Sequence, residues 1–194
     1  MEAIKIENRK ILADQSYRLE EISFTKPDLQ GGEHSQRNEV YFRPDAVAVL
    51  LVNKAKQEFI LARQLRLPVF LNPQTGTDGY LLETCAGLIE DGESPVQAAT
   101  REAKEELGFE LSAPSQVGGV YTSAGGITEY LHLFIAEVSD ADLCGKGGGA
   151  EGEGEDIEIV RLTFDEARRL LAEAKINDAK TMLLLQYYFC FLQQ

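Results

Sequence analysis

Residues 87–109 read "GLIEDGESPVQAATREAKEELGF", and the fold turns on what happens inside this stretch. From Ser94 onward Val96, Ala99, Ala103 and Leu107 recur at helical spacing, which predicts a helix with one buried stripe. Ser94 and Gln97 form a capping box, Pro95 takes the favoured first position, and Gly108 supplies the stop. Glu102, Glu105 and Glu106 then cluster on the adjoining flank, with Arg101 one turn before Glu105. Like charges at that spacing cost an isolated helix roughly 0.2–0.5 kcal/mol per pair. A solvated acidic face is the ordinary outcome of such a run. Here, however, "CAG" (85–87) brings a strand end and a glycine turn to the helix start, followed by Glu90, Asp91 and Glu93. Hard cations such as Mg²⁺ take carboxylate and phosphate oxygens. Two unit charges at 4 Å interact by about 4 kcal/mol at an effective dielectric of 20. The crowding is therefore expected to be offset by a divalent metal.

Upstream, residues 4–12, 17–26 and 37–43 read as strands, separated by the turn signals "DQS" and "KPDLQGGEHSQ". The run "AVAVLLV" (46–52) is nearly continuous in apolar residues, the mark of a strand covered on both faces. "EFILARQLRL" (58–67) puts Phe59, Leu61 and Arg63 on one face, 72–79 is a loop, and "YLLETCAG" (80–87) is another strand. Downstream, strands are expected at 117–122, 130–138 and 157–162, broken by "GKGGGAEGEGED" (145–156). Thr163 and Glu166 form a second capping box that opens a helix over 163–175, and a last helix starts near Asp178. The expected whole is α/β: a mixed sheet sandwiched by helices, with an antiparallel N-terminal lobe over 1–43 and the main domain over 44–194.

Composition limits the function. Apolar residues make up 44% of the 194 and charged residues 26%, as in a folded globular protein. The formal charge of −13 counts against a nucleic-acid partner, whose usual footprint is a basic stripe. The longest apolar tract, "MLLLQYYFCFL" (182–192), is short for a membrane span and reads as a buried helix. Cys85, Cys144 and Cys190 lack CxxC spacing, which argues against zinc. Their odd number without an export signal suggests a reducing, cytoplasmic setting.

Gly87, five residues, Glu93, seven residues, then "REAKEELGF" resembles the box of the Nudix hydrolases, with Ala103 in a slot usually held by a larger aliphatic residue. "RNEVY" (37–41), "RQLR" (63–66), "ETCAGL" (83–88), "SAGGITE" (123–129), "GGGAEGEGEDIE" (147–158) and "DAKTMLLL" (178–185) extend the resemblance to the GDP-mannose pyrophosphatase branch, a relative of the ADP-ribose pyrophosphatases. The resemblance implies a Nudix α/β/α sandwich that hydrolyses a nucleoside diphosphate linked to another moiety. It implies metal ligation, by Mg²⁺ or Mn²⁺, through Glu102, Glu106 and the Ala86 carbonyl. Glu93 and Arg101 are then a structural pair bracing the turn.

Diphosphate cleavage also needs a water held in line and a base. The resemblance places that base, with a further metal contact, on the glycine-rich loop. There Glu155 is the best match among Glu151, Glu153, Glu155 and Asp156, and Glu105 is the alternative. It likewise implies substrate contacts at Tyr17, Arg37, Asn38, Glu39, Arg66, Ala86, Gly87, Leu88, Glu129 and Lys180, and a homodimer in which the N-terminal lobe completes the partner's site. GDP-mannose is the first expectation and ADP-ribose the second, since Ala124 in "SAGG" replaces the proline that marks the ADP-ribose group. A non-catalytic nucleotide-sugar sensor is the rival class, and the intact acids of the box argue against it.

Overall fold

Strand β4 (Ala46–Asn53) is buried along its entire length, as its unbroken apolar run requires. Its side chains alternate between two cores. Val47, Val49 and Leu51 join Ala98, Ala99, Ala103 and Leu107 of helix α2 (Pro95–Leu107). Ala48, Leu50 and Val52 join Phe164 and Ala167 of α3 (Phe164–Ala172) and Leu184 and Leu185 of α4 (Ala179–Tyr187). One strand thus holds a helix layer on each face of the sheet, which is the expected α/β/α sandwich.

The computed structural model describes residues 4–72, 78–149 and 156–193. The chain divides into two compact units, 1–45 with 121–130, and 46–120 with 131–194. The first unit carries the antiparallel sheet β1 (Lys5–Asp14), β2 (Arg18–Pro27) and β3 (Glu33–Phe42). β3 begins four residues before the expected 37, inside a polar stretch. Asp28 closes the hairpin by accepting from the N–H groups of Gln30 (2.7 Å) and Gly32 (2.9 Å), so pairing extends to Pro27 opposite Glu33. Segment 121–130 is bound to β3: Tyr41 N–H donates to Gly126 O at 2.8 Å and Thr128 N–H to Tyr41 O at 3.1 Å.

The second unit is built on a seven-stranded mixed sheet. β9 (Tyr130–Glu137) runs parallel to β4 along one edge, with β8 (Ser115–Tyr121) beyond it. Two strands share the other edge of β4. β5 (Glu58–Leu65) pairs with Leu51–Asn53, and β7 (Cys85–Leu88) pairs with Ala46–Val49. β6 (Tyr80–Glu83) pairs with β5, and β10 (Glu158–Thr163) lies outside β5. The expected single strand over 80–87 is therefore two. Chain 80–88 crosses from β5 to β4, and Thr84 is the junction.

Three local expectations need correcting. Val96 is exposed, and Ala98 joins the stripe instead, while Ile89 packs on that core from the turn before the helix. A short helix α1 (Leu67–Leu71) with Pro at its start follows β5. The C-terminal tract is only half buried. Leu184, Leu185 and Tyr188 face the core, whereas Leu183, Phe191 and Leu192 are exposed, because the helix meets the sheet on one side only. No helix of the described residues is long and apolar enough to cross a membrane.

Phe59 anchors the core shared by β5, α3 and the C-terminal turns, with ring centroids 4.6 Å from Phe164, 5.2 Å from Tyr188 and 5.6 Å from Phe189. Phe59→Ala should therefore lower unfolding stability by about 3–5 kcal/mol, read from urea denaturation.

Candidate active site

Helix α2 forms as its caps dictate. Ser94 Oγ accepts from Gln97 N–H at 3.4 Å, and Gln97 Oε1 accepts from Ser94 N–H at 2.9 Å. Gly108 terminates it at φ +75°. Glu102, Glu105 and Glu106 consequently lie in its last two turns, at the negative end of the helix dipole, where anions are disfavoured. Arg101 meets part of that cost. It grips both oxygens of Glu93 at 3.0 Å and also donates to Glu102 (2.8 Å), Glu105 (3.1 Å) and the Leu88 carbonyl (2.9 Å). The hydrogen bonds from Arg101 hold the Glu93 carboxyl below its ordinary range. Glu93 and Arg101 thus pair as expected and tie the loop to the helix.

Glu106 is only 3% exposed and accepts from the Ala86 N–H at 3.2 Å. Glu102 is seated against the backbone of Gly87, where a Cβ would stand 1.8 Å from its Oε1. The glycine turn is therefore a cradle for the carboxylate. Burial, followed by the negative charges of Glu106 and Glu102, pushes the Cys85 thiol well up, which keeps it protonated and inert. Ala86, Gly87, Leu88, Glu93, Arg101, Glu102, Glu105 and Glu106 are all brought to this one corner.

The C-terminal end of α2 also receives the start of the glycine tract. Gly148 N–H donates to Glu106 O (2.9 Å) and Gly149 N–H to Glu105 O (3.1 Å), with Gly147, Gly148 and Gly149 all at positive φ. Backbone carbonyls left over at the helix end are thereby satisfied. Ile157 N–H returns to Gly148 O at 3.4 Å. Glu151, Glu153 and Glu155 lie outside the described residues. Asp156 is exposed.

A second cluster centres on Glu83, which the sequence reading did not single out. This carboxylate is 1% exposed. It accepts from Arg66 Nε (2.7 Å) and Nη2 (2.9 Å) and from Lys180 Nζ. Burial alone would raise it, but the Arg66 hydrogen bond and the charges of Lys180 and Arg66 together hold it below its ordinary value. Lys180 also donates to Asp178 Oδ1 at 3.0 Å, while Asp178 Oδ2 caps α4 through Thr181 N–H (3.0 Å) and Oγ1 (2.6 Å). Arg63 instead pairs with Glu158 and Asp78 at the surface and stacks on Tyr80.

In the first unit, Tyr17 and Glu129 are joined by a residue also missed, Arg43. Its guanidinium lies 5.0 Å from the Tyr17 ring centre, and its Nε is 3.3 Å from Glu129 Oε2. Arg37, Asn38 and Glu39 are exposed on β3.

Among the described residues no three Asp, Glu, His or Cys side chains stand together as a ready metal cluster. The donor set still suits a hard dication. Two glutamates held at a helix C-terminus, one of them cradled by a glycine, offer oxygens beside the Ala86 backbone.

The NUDIX domain family matches residues 42–185. The chain is 41% identical over 178 residues to the GDP-mannose pyrophosphatase of Cronobacter sakazakii, covering 92% of this chain and 91% of that one. It is 40% identical over 184 residues to the protein of the same name from Pectobacterium atrosepticum, covering 95% and 93%. Among solved structures, an ADP compounds hydrolase superposes with a TM-score of 0.69 at 24% identity, covering 95% of this chain and 91% of that one, a likeness of fold.

Two glycines should separate site from scaffold. At Gly87 the atoms nearest an added methyl all belong to the end of the Glu102 side chain, so Gly87→Ala should cost stability under about 1 kcal/mol while sharply weakening Mn²⁺ binding, measured by electron paramagnetic resonance. At Gly147, with φ +63°, the methyl would meet Glu106 O at 2.5 Å. Gly147→Ala should therefore cost about 1–3 kcal/mol in thermal or urea unfolding.

Acid should act through Glu93. Its folded value lies below the ordinary 4.5, so its contribution to stability is complete above that pH and is lost as pH falls through the lowered value. The melting-temperature deficit of Glu93→Gln should then be largest near pH ~6 and shrink toward pH ~3.

Proposed function

The chain belongs to the NUDIX family, and from that premise we propose that it hydrolyses the diphosphate bond of a nucleoside diphosphate sugar, GDP-mannose foremost, giving GMP and mannose 1-phosphate. It is a hydrolase of phosphoric anhydrides. The observation that carries this reading is the carboxylate corner: Glu102 in the Gly87 cradle and Glu106 on Ala86 N–H, both at the end of one helix. The names of the relatives support the substrate.

Glu102, Glu106 and the Ala86 carbonyl, with Glu155, are the groups that would hold Mg²⁺ or Mn²⁺. Bound there, the ion would supply charge neutralisation on the phosphate oxygens and a more acidic water. The protein's own part is positioning. Arg66 and Lys180 receive the anionic substrate, with Ala86, Gly87 and Leu88 lining its approach to the helix. Water attacks one phosphorus, its proton passes to Glu155, and the bridging P–O bond breaks. Glu105, already tied to Arg101, is the alternative base.

Tyr17, Arg37, Asn38, Glu39 and Glu129 are assigned as substrate contacts of the first unit. A homodimer formed through residues 1–43 is supported by the exposed Ile4, Ile6 and Ile11 on and beside β1. Three unpaired cysteines support a reducing, cytoplasmic setting.

The test is a panel of nucleotide sugars, ADP-ribose included, with Mg²⁺ and identification of both phosphorylated products. GDP-mannose should give the highest kcat/KM. Hydrolysis of nucleoside triphosphates alone would overturn the assignment. Within that assay Glu106→Gln should release metal and collapse turnover while metal-free stability survives. Glu155→Gln should keep substrate binding and lose about 10²–10⁴-fold in kcat, the usual worth of a general base. Full activity of Glu155→Gln beside an inactive Glu151→Gln or Glu153→Gln would move the base along the loop.

A further inference from the structure

We propose that Glu83 is a positioning residue for catalysis: a buried carboxylate that holds Arg66 and Lys180 together as one clamp for the substrate's diphosphate. This rests on the reading that Arg66 and Lys180 bind substrate. The two cations come from distant parts of the chain, Arg66 from the end of β5 and Lys180 from the first turn of α4. Each is a long side chain with many rotamers when unrestrained. Glu83 removes that freedom from both at once. Arg66 is fixed by a two-point contact that sets its plane, while 37% of its side chain stays exposed.

A merely stabilising role fits poorly. A buried ion pair is weak evidence of stability, because apolar residues of similar volume often do as well. The charges here also cancel pairwise, Arg66 and Lys180 against Glu83 and Asp178. Such an arrangement adds no net attraction for an anion, but it does fix where two cationic groups stand.

The chain following Glu83 ties that position to the carboxylate corner. Thr84, at the β6–β7 junction, donates its N–H to the buried Thr181 Oγ1 at 2.7 Å, which locks it to the α4 cap. Two residues on, Ala86 N–H meets Glu106, and then Gly87 cradles Glu102. The short stretch of chain from Glu83 to Gly87, across the β6–β7 junction, therefore sets the spacing between the cations and the acids. Glu83 is the point at which the cations are attached to it.

The experiment is steady-state kinetics of the full chain on GDP-mannose, or on the best substrate of the panel, for wild type, Arg66→Ala, Glu83→Gln, Glu83→Asp and the Arg66→Ala/Glu83→Gln pair. Mn²⁺ affinity is measured alongside. Glu83→Gln should raise KM on the order of ten- to a hundredfold with kcat nearly kept and Mn²⁺ affinity unchanged, as expected for loss of charge-assisted positioning bonds. Glu83→Asp keeps the charge and guards against a folding failure. Its shorter side chain cannot reach both cations, so its KM should rise several-fold. The paired variant should show a KM effect smaller than the product of the two single ones, since Glu83 acts partly through Arg66. If Arg66→Ala leaves KM unchanged, the substrate-binding reading of Arg66 falls and takes this proposal with it. If Arg66→Ala raises KM while both Glu83 variants keep the wild-type value, the positioning role alone is overturned. A loss of kcat or Mn²⁺ affinity at unchanged KM overturns it equally.

Discussion

Helix α2 places Glu102, Glu105 and Glu106 where its own dipole repels them, and one guanidinium, Arg101, donates to two of them, Glu102 and Glu105. Arg101 is shared with Glu93, so three carboxylates surround it, Glu93, Glu102 and Glu105. The remaining imbalance is local: Glu106 is buried, and Glu102 is seated against the Gly87 backbone in the space that a Cβ would take. A helix end of this kind is stable only because the neutral parts of the unit are strong. Both cores on β4 are closed and apolar, and the caps at Ser94 and Gly108 hold the helix ends independently of the acids.

The split edge of β4 explains how the corner is assembled. If β5 paired with β4 throughout, no strand could bring Ala86 and Gly87 beside α2. Because β5 leaves β4 and β7 takes its place, chain 80–88 passes from one neighbour to the other. That crossing exposes a junction, Thr84, whose backbone must find a partner away from the ladder. Thr181 provides it. At the same C-terminal end of α2, Gly147, Gly148 and Gly149 adopt positive φ, and the N–H groups of Gly148 and Gly149 reach the Glu106 and Glu105 carbonyls of the helix. Sheet topology and loop thus converge on the same two turns.

How much of this was legible in the sequence depended on how local the determinant is. The capping box of Ser94 with Gln97, that of Thr163 with Glu166, and the stop at Gly108 are each set by residues within a turn of each other, and all are present in the structure. The double-sided burial of β4 was legible too, since burial on both faces forces an unbroken apolar run. Val96 was misplaced because periodicity identifies a stripe but not where packing begins along it; Ile89 occupies that end of the core from outside the helix. Glu83 was quoted in "ETCAGL" yet not singled out. Its meaning lies in Lys180, which reaches it from the far end of the chain, and no local pattern reports such a pairing. Arg43 escaped for the same reason: its partners Tyr17 and Glu129 are distant in sequence.

The two charged clusters of the second unit differ in what they can attract. Around Arg101 the acids outnumber the cation, so that corner favours a cation. Around Glu83 the charges cancel, so Arg66 and Lys180 offer directed hydrogen bonds with little net field. In a chain of formal charge −13, an anionic diphosphate gains little from long-range steering. Its attraction must come from short-range contacts and from whatever positive charge the carboxylates have already recruited. In the proposed function the acids are thus no obstacle to an anionic substrate, since they are the groups that would recruit the dication. There the neutral clamp would direct the diphosphate through positioned hydrogen bonds, while the dication would supply the net positive charge that the clamp lacks.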